Sequence, residues 1–228
     1  MLFLDGYPSE EWVYLSHILD EDTPAYGNGP GLTREQVRSL DRGESCNASM
    51  LHLSNHLGSH VDAPNHFIKG GRCVDQYSVL DWFFLKPLVL DVQPNDQNWV
   101  TPHSFETYDL EGLDADLLFI QTHAGVHRKC SHYWENSPVF APELSDFLKT
   151  RLPSLRAVGL DTISISSLNE REVGREAHRT FLGSGLRIFE DMNIGALSSG
   201  KSLDMVIALP MRIRNGDAAP CTVIGRLV

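Results

Sequence analysis

Short apolar runs bounded by Gly, Pro, Asn and Asp recur along the chain. "VYLSH" (13–17), "PLVLDV" (87–92), "DLLFIQT" (116–122), "AVGLD" (157–161), "LRIFED" (186–191) and "DMVIALP" (204–210) have the length of strands rather than helices. Residues 46–54 alternate in polarity around Met50, Leu51 and Leu53, the pattern of a half-buried strand. A Gly/Pro-rich loop, "TPAYGNGPG" (23–31), precedes "LTREQVRSLDRG" (32–43), where Thr33 and Gln36 have capping-box spacing and predict a short helix. "TPHSFETY" (101–108) and "APELSDFLKTRL" (141–152) carry Pro near a helix start, where its missing N–H costs least. No repeat or linker divides the chain. Strands interspersed with a few helices predict one α/β domain over 1–228, a mixed sheet with covering helices.

Composition narrows the partners. With 228 residues and 42% hydrophobic content the chain can bury a core. A net charge of −11 and a pI near 5.3 exclude a nucleic-acid footprint, which needs surplus Lys and Arg, and suit a small-molecule substrate. No run approaches the ~18 apolar residues of a membrane helix. The start, "MLFLDGYPSEEW", lacks a basic region and a small-residue cleavage site, which argues against a signal peptide. Cysteines 46, 73, 130 and 221 form no CxxC pair, so reduced thiols and a cytoplasmic location are expected.

The chemistry concentrates in "NHLGSHVDAPNHF" (55–67), which places His56, His60, Asp62 and His66 within eleven residues. Imidazole and carboxylate together suit a divalent transition metal. On a straight strand His56 and His60 would stand ~13 Å apart at Cα, near the limit of shared chelation. On a helical turn they would be ~5–6 Å apart at Cβ. Gly58 permits a tight backbone and Pro64 redirects the chain, so a bent segment can converge His56, His60 and Asp62 and leave His66 outside, free to move protons. The competing reading is a solvated loop whose histidines cap backbone groups.

"HLGSHVDAPNHF" resembles the signature of the metal-dependent cyclase family, approximately HxGTHxDxPxHF, whose members include kynurenine formamidases and isatin hydrolases. "YLSHILDEDTPAYG", "AVGLDTISIS", "AHRTFLGSGLRIFEDMNIGAL" and "IALPMRIRNGDAAPCTVIGRL" resemble further family segments in order. The resemblance implies a barrel-like or swivelling β/α/β fold and assembly as homodimers or homotetramers, often with the opening segment near a neighbour's site. It implies that His56, His60 and Asp62 hold a first metal ion, Zn²⁺ or Mn²⁺, with Asp62 available to bridge to a second. His178 and Glu190 match the pair that completes the site, and His66 matches the catalytic histidine. Locally, His178 sits in the polar "REAHR" and Glu190 ends the apolar run "LRIF", where it could equally face solvent.

A bound divalent ion lowers the pKa of water toward ~7 and polarises a carbonyl, which is equipment for hydrolysis. His66 could carry the proton to a leaving nitrogen, while Glu190 could bind metal, orient His66, or do both. A serine triad finds no GxSxG elbow, and Cys73 and Cys130 read as lone packing residues. The expected reaction is hydrolysis of a non-peptide C–N bond, in an aryl formamide such as N-formylkynurenine. The alternatives are hydrolysis of a cyclic, isatin-like amide, metal-assisted cyclisation or dehydration, and metal or ligand binding with little catalysis. Departures fall in the substrate segments: "TPAYGNG" offers Tyr26 where the family has TPxWPG, and "IQTHAGVHRKCSHYW" brings His123, His127 and His132 where a Thr-Gly-Trp pattern is usual. Ser59 replaces a Thr and keeps its hydroxyl, so little change is expected there.

Overall fold

Strand β13 (Ala218–Leu227) is the spine of the fold. A computed structural model describes residues 11–197 and 202–228, so most of "MLFLDGYPSEEW" lies outside the described residues. β13 pairs antiparallel with β1 (Trp12–Tyr14), β12 (Leu203–Pro210) and β4 (His60–Asp62). Beyond β4 the sheet continues through antiparallel β11 (Arg187–Glu190) to the parallel strands β10 (Ala157–Leu160), β8 (Leu117–Gln121) and β6 (Pro87–Asp91). On its other arm β12 pairs with β5 (Phe83–Phe84) and also lies against β6, which brings the sheet close to a closed barrel. The mixed α/β architecture is the one the apolar runs predict, and every one of those six runs contributes a strand.

Period-2 alternation sorts the side chains to two cores. Val61, Phe119, Phe189, Val206 and Val223 fill the face that the curving sheet encloses. Leu118, Ile120, Val158 and Ile188 point the other way and meet α2 (Leu144–Arg151) and α3 (Arg171–Gly183) through Leu144, Leu148, Ala177 and Phe181. A short parallel pair, β7 (Trp99–Val100) and β9 (Val139–Phe140), lies beside α3. α3 buries Gly174, Ala177, His178, Phe181 and Leu182, the i, i+3, i+4, i+7, i+8 stripe of an amphipathic helix. That stripe contains only two large apolar residues, so its period was not visible as a hydrophobic pattern.

Three expectations are corrected. Residues 32–43 do not form a capped helix: Thr33–Arg38 is strand β2, paired antiparallel with β3 (Ala48–His52) from Thr33↔His52 to Arg38↔Ala48. Gln36 donates to the Arg38 carbonyl at 2.6 Å instead of capping, and Arg34 bonds Ser49 across the ladder at 3.1 Å, so cross-strand pairing overrides the local capping preference. β3 is a strand, but it is not half-buried, since Met50 and Leu51 are both 51% exposed. "TPHSFETY" forms only a 3-10 turn at Pro102–Phe105, whereas the other Pro-led segment forms α2. All four cysteines are unpaired, and no described helix is long and apolar enough to cross a membrane.

Candidate metal centre

Strand β4 lies between β11 and β13, and its register assembles the site. His60 stands opposite Glu190 and Pro220, while Asp62 stands opposite Ile188 and Ala218. Alternation sends Val61 into the enclosed core and leaves His60, Asp62 and Glu190 on one face, beneath α3. Gly58 adopts φ +68°, a left-handed turn that favours glycine, and its carbonyl accepts a hydrogen bond from His60 Nδ1 at 2.8 Å. That bond turns His60 Nε2 inward. From above, His178 Nδ1 faces the Gly174 carbonyl at 2.9 Å and Ser166 Oγ at 3.1 Å, turning its Nε2 toward the same point. Only glycine fits at 174, because a Cβ there would fall 2.5 Å from Ser166 Oγ.

The inward atoms converge. His60 Nε2 lies 3.4 Å from both Asp62 Oδ1 and Glu190 Oε2. His178 Nε2 is 3.4 Å from Asp62 Oδ2 and 3.5 Å from Glu190 Oε1, and His56 Nδ1 is 3.0 Å from Asp62 Oδ1. Glu190 Oε1 is fixed from behind by the Ile165 N–H at 2.7 Å and the Ser164 hydroxyl at 3.1 Å. His60, Asp62, His178 and Glu190 are buried, whereas the His56 and His66 side chains are each 25% exposed and form the rim. His66 follows from the Pro64–His66 turn, with Nε2 4.0 Å from Asp62 Oδ2 and Nδ1 3.1 Å from Asp217 Oδ2.

Among the described residues, His60 Nε2 and both Asp62 oxygens are buried without a hydrogen-bond partner. Each such orphan costs about 1–3 kcal/mol, so three at one point mark a place built for another group. Imidazole nitrogens and carboxylate oxygens aimed together fit a divalent cation, and His56, His60 and Asp62, like Asp62, His66 and His178, lie close enough to share one. The outer bonds from Gly58, Gly174, Ser166, Ser164 and Ile165 orient His60, His178 and Glu190 in the way outer partners orient metal ligands.

The electrostatics describe the same centre without an ion. Burial alone would discharge His178, but the carboxylates of Asp62 and Glu190 facing it outweigh burial and raise the imidazole to about 10. Burial and the Asp62 charge oppose ionisation of Glu190, yet the imidazoles of His178 and His60 facing it hold it down at about 2. Protons on the histidines therefore occupy the charge role of a cation, and metal uptake must expel them. Two results are expected. Zn²⁺ titration of chelator-treated protein at pH 7 releases protons, seen as a dependence of the calorimetric heat on buffer ionisation enthalpy. Metal-free protein loses stability as pH rises from 6.5 toward 10, since a raised histidine pKa contributes fully below the unfolded value and is lost above the folded one. Thermal unfolding in chelator across that range checks the sign; a flat profile contradicts it.

The remaining predicted positions are scattered more widely. Tyr26 lies in the 3-10 turn Tyr26–Asn28, packed against helix α1 (His132–Glu135), with its phenol pKa raised by burial and then by the charge of Glu190. His123, His127 and His132 are not in the centre: they line a separate cavity of about 320 Å³ with Asn95 and Asn98, and His123 pairs with Asp91 at 2.8 Å. Ser59 is buried, its hydroxyl donating to the Asp191 carbonyl and accepting from the His17 N–H. Asp217 was missed. It precedes β13 in "NGDAAP", where the local pattern reads only as a turn.

A nearly closed mixed sheet with a buried histidine–carboxylate centre under one helix defines the class: an α/β protein whose clustered donors could hold a cation. The model of the putative cyclase family matches residues 13–167, and the chain belongs to that family. It is 25% identical to a kynurenine formamidase from Bacillus cereus over 219 residues, 96% of this chain and 98% of that protein. Among solved structures it is similar to isatin hydrolase A from Labrenzia aggregata, with TM-score 0.76, 23% identity and coverage of 95% of this chain and 93% of that one. A potential metal-dependent hydrolase with cyclase activity aligns with TM-score 0.72 and 21% identity over 94% of this chain and 96% of that one.

Proposed function

We propose that this chain is a metal-dependent hydrolase of a C–N bond beside an aromatic ring, in an aryl formamide or a cyclic aryl amide. The observation that carries the reading is the convergence of three orphaned buried atoms, His60 Nε2 and both Asp62 oxygens, beneath a partly exposed histidine rim. The names of the similar proteins, kynurenine formamidase and isatin hydrolase, supply the substrate class. His56, His60, Asp62, His178 and Glu190 would hold one or two ions, with Zn²⁺ and Mn²⁺ both suited to the donor set. When bound, such an ion supplies a Lewis acid and acidified water. His66, kept largely uncharged by burial, accepts the proton of the attacking water and returns it to the leaving nitrogen, while Tyr26 contacts the aromatic ring. The C–N bond breaks, the acyl carbon gains hydroxyl and the nitrogen gains hydrogen.

Assembly with a second copy belongs to the same reading, because a lone two-stranded hairpin is marginal in water and β2–β3 exposes Val37, Met50 and Leu51. Elemental analysis of protein purified without chelator, with N-formyl-aromatic amides and isatin-type lactams as substrates, tests the function. A stoichiometric transition metal is expected, with formate and the free arylamine from the formamides and a ring-opened product heavier by one water from the lactams. Metal-free protein that still turns over, or a product lighter by one water, rejects hydrolysis by this centre.

A further inference from the structure

Asp217 is joined to the centre through two histidines at once. Its Oδ2 lies 2.9 Å from His56 Nε2 and 3.1 Å from His66 Nδ1, while Oδ1 accepts from Asn55 Nδ2 at 2.7 Å. The Asp217 carbonyl, on the backbone, accepts from the Ala63 N–H at 2.8 Å, which sets the residue one step along from the Asp62↔Ala218 pair. β4 thus has Glu190 on one side and Asp217 on the other. An aspartate carboxylate is ionised at neutral pH.

An ionised carboxylate accepts and does not donate, so both nitrogens facing Oδ2 must carry hydrogen. Each imidazole has two nitrogens, and in the neutral ring that metal uptake requires, committing one to donation leaves the other with its lone pair. For His56 that is Nδ1, 3.0 Å from Asp62 Oδ1; for His66 it is Nε2, 4.0 Å from Asp62 Oδ2. Both lone pairs therefore face the centre. We infer that Asp217 is a positioning residue which, through one oxygen atom, sets the tautomers of a metal-ligating histidine and of the proton-carrying histidine together.

His56, His66 and Asp217 are also close enough to hold an ion of their own. The unpartnered atoms decide between the two roles: they lie on His60 and Asp62, whereas the Asp217 contacts have hydrogen-bond geometry and leave both of its oxygens partnered. The anion acts from outside the centre, in the arrangement of a carboxylate–histidine–metal relay. Sharing one oxygen between two rings adds a consequence: the ligand and the proton carrier cannot be set independently.

The inference rests on the metal-centre reading, and the experiment separates the two. Asp217→Asn keeps size and backbone bonds but presents an amide that both donates and accepts, so it no longer enforces donation by both rings. Zn²⁺ affinity, measured by competition with a chelator, is expected to fall about 10–100-fold, the usual cost of losing an outer carboxylate. In ¹⁵N-histidine-labelled protein with Zn²⁺ at pH 8, His66 is expected as a single Nδ1–H tautomer in the wild type and as a mixture in Asp217→Asn. Asn55→Ala, which frees only Oδ1, should move both readouts in the same direction by less. Unchanged affinity, or an unchanged His66 tautomer in Asp217→Asn, overturns the role of Asp217. A wild type that binds no Zn²⁺ overturns the metal centre instead, and the His66 tautomer of the metal-free protein at pH 8 still decides the case of Asp217.

Discussion

Replacing Asp62 by alanine is expected to strip the purified protein of metal and to lower turnover by about a thousandfold. Asp62 is fully buried, and its two oxygens are approached by His56, His60 and His178 from three directions. Among the described residues, no other side chain meets so many members of the cluster. Losing it removes the anion common to the ligand set, and forfeiting ~4 kcal/mol of charge stabilisation corresponds to roughly 10³ in rate. In metal-free protein the same change leaves His60 and His178 with Glu190 alone, and breaking a buried ion pair from one side costs about 3–5 kcal/mol. Asp62→Asn separates the effects, because it preserves volume and weakens ligation. Metal content by mass spectrometry, amide turnover and thermal unfolding in chelator would be measured on both variants. Full metal content and full turnover in Asp62→Asn would remove Asp62 from the centre.

His66→Gln is expected to leave metal content intact while turnover falls by about 10²–10³, the usual share of a positioned acid–base group. The distinction follows from location. His66 stands at the rim with Nε2 4.0 Å from Asp62, and neither His60 nor His178 relies on it for orientation. Burial lowers its pKa, which suits a proton acceptor at neutral pH. A substrate-binding role would raise KM and spare kcat, whereas a proton carrier loses kcat. Loss of metal in parallel with rate would instead make His66 a ligand.

Legibility in the sequence followed the range of the physical signal. Strand-length apolar runs report a local property, burial on a pleated sheet, and all six became strands. Thr33 and Gln36 had the spacing of a cap, but the choice between helix and hairpin was made by partners at 48–52 that local spacing does not weigh. His56, His60, Asp62 and His66 were readable because a single bend brings them together. His178 and Glu190 came through family likeness alone: the first occupies a helical stripe built on Gly and Ala, and the second ends an apolar strand whose neighbour had to be known. Asp217 lay beyond both signals, since only the β4–β13 register shows which rings it meets.

The order of the candidate ligands along the chain bears on how the proposed centre would take up an ion. His56, His60 and Asp62 leave the ribosome together, but β11, the strand that sets Glu190 against His60, follows only after β6, β8, β10 and their crossovers. Until those non-local pairings form, the nascent chain offers a three-ligand chelate without its floor or its roof, open to whichever cation is abundant. Tight and discriminating capture belongs to the finished sheet. On the proposed metal-centre reading, the ion is therefore taken up late, by a folded centre, and reflects the ions available to the completed protein rather than those present during its synthesis.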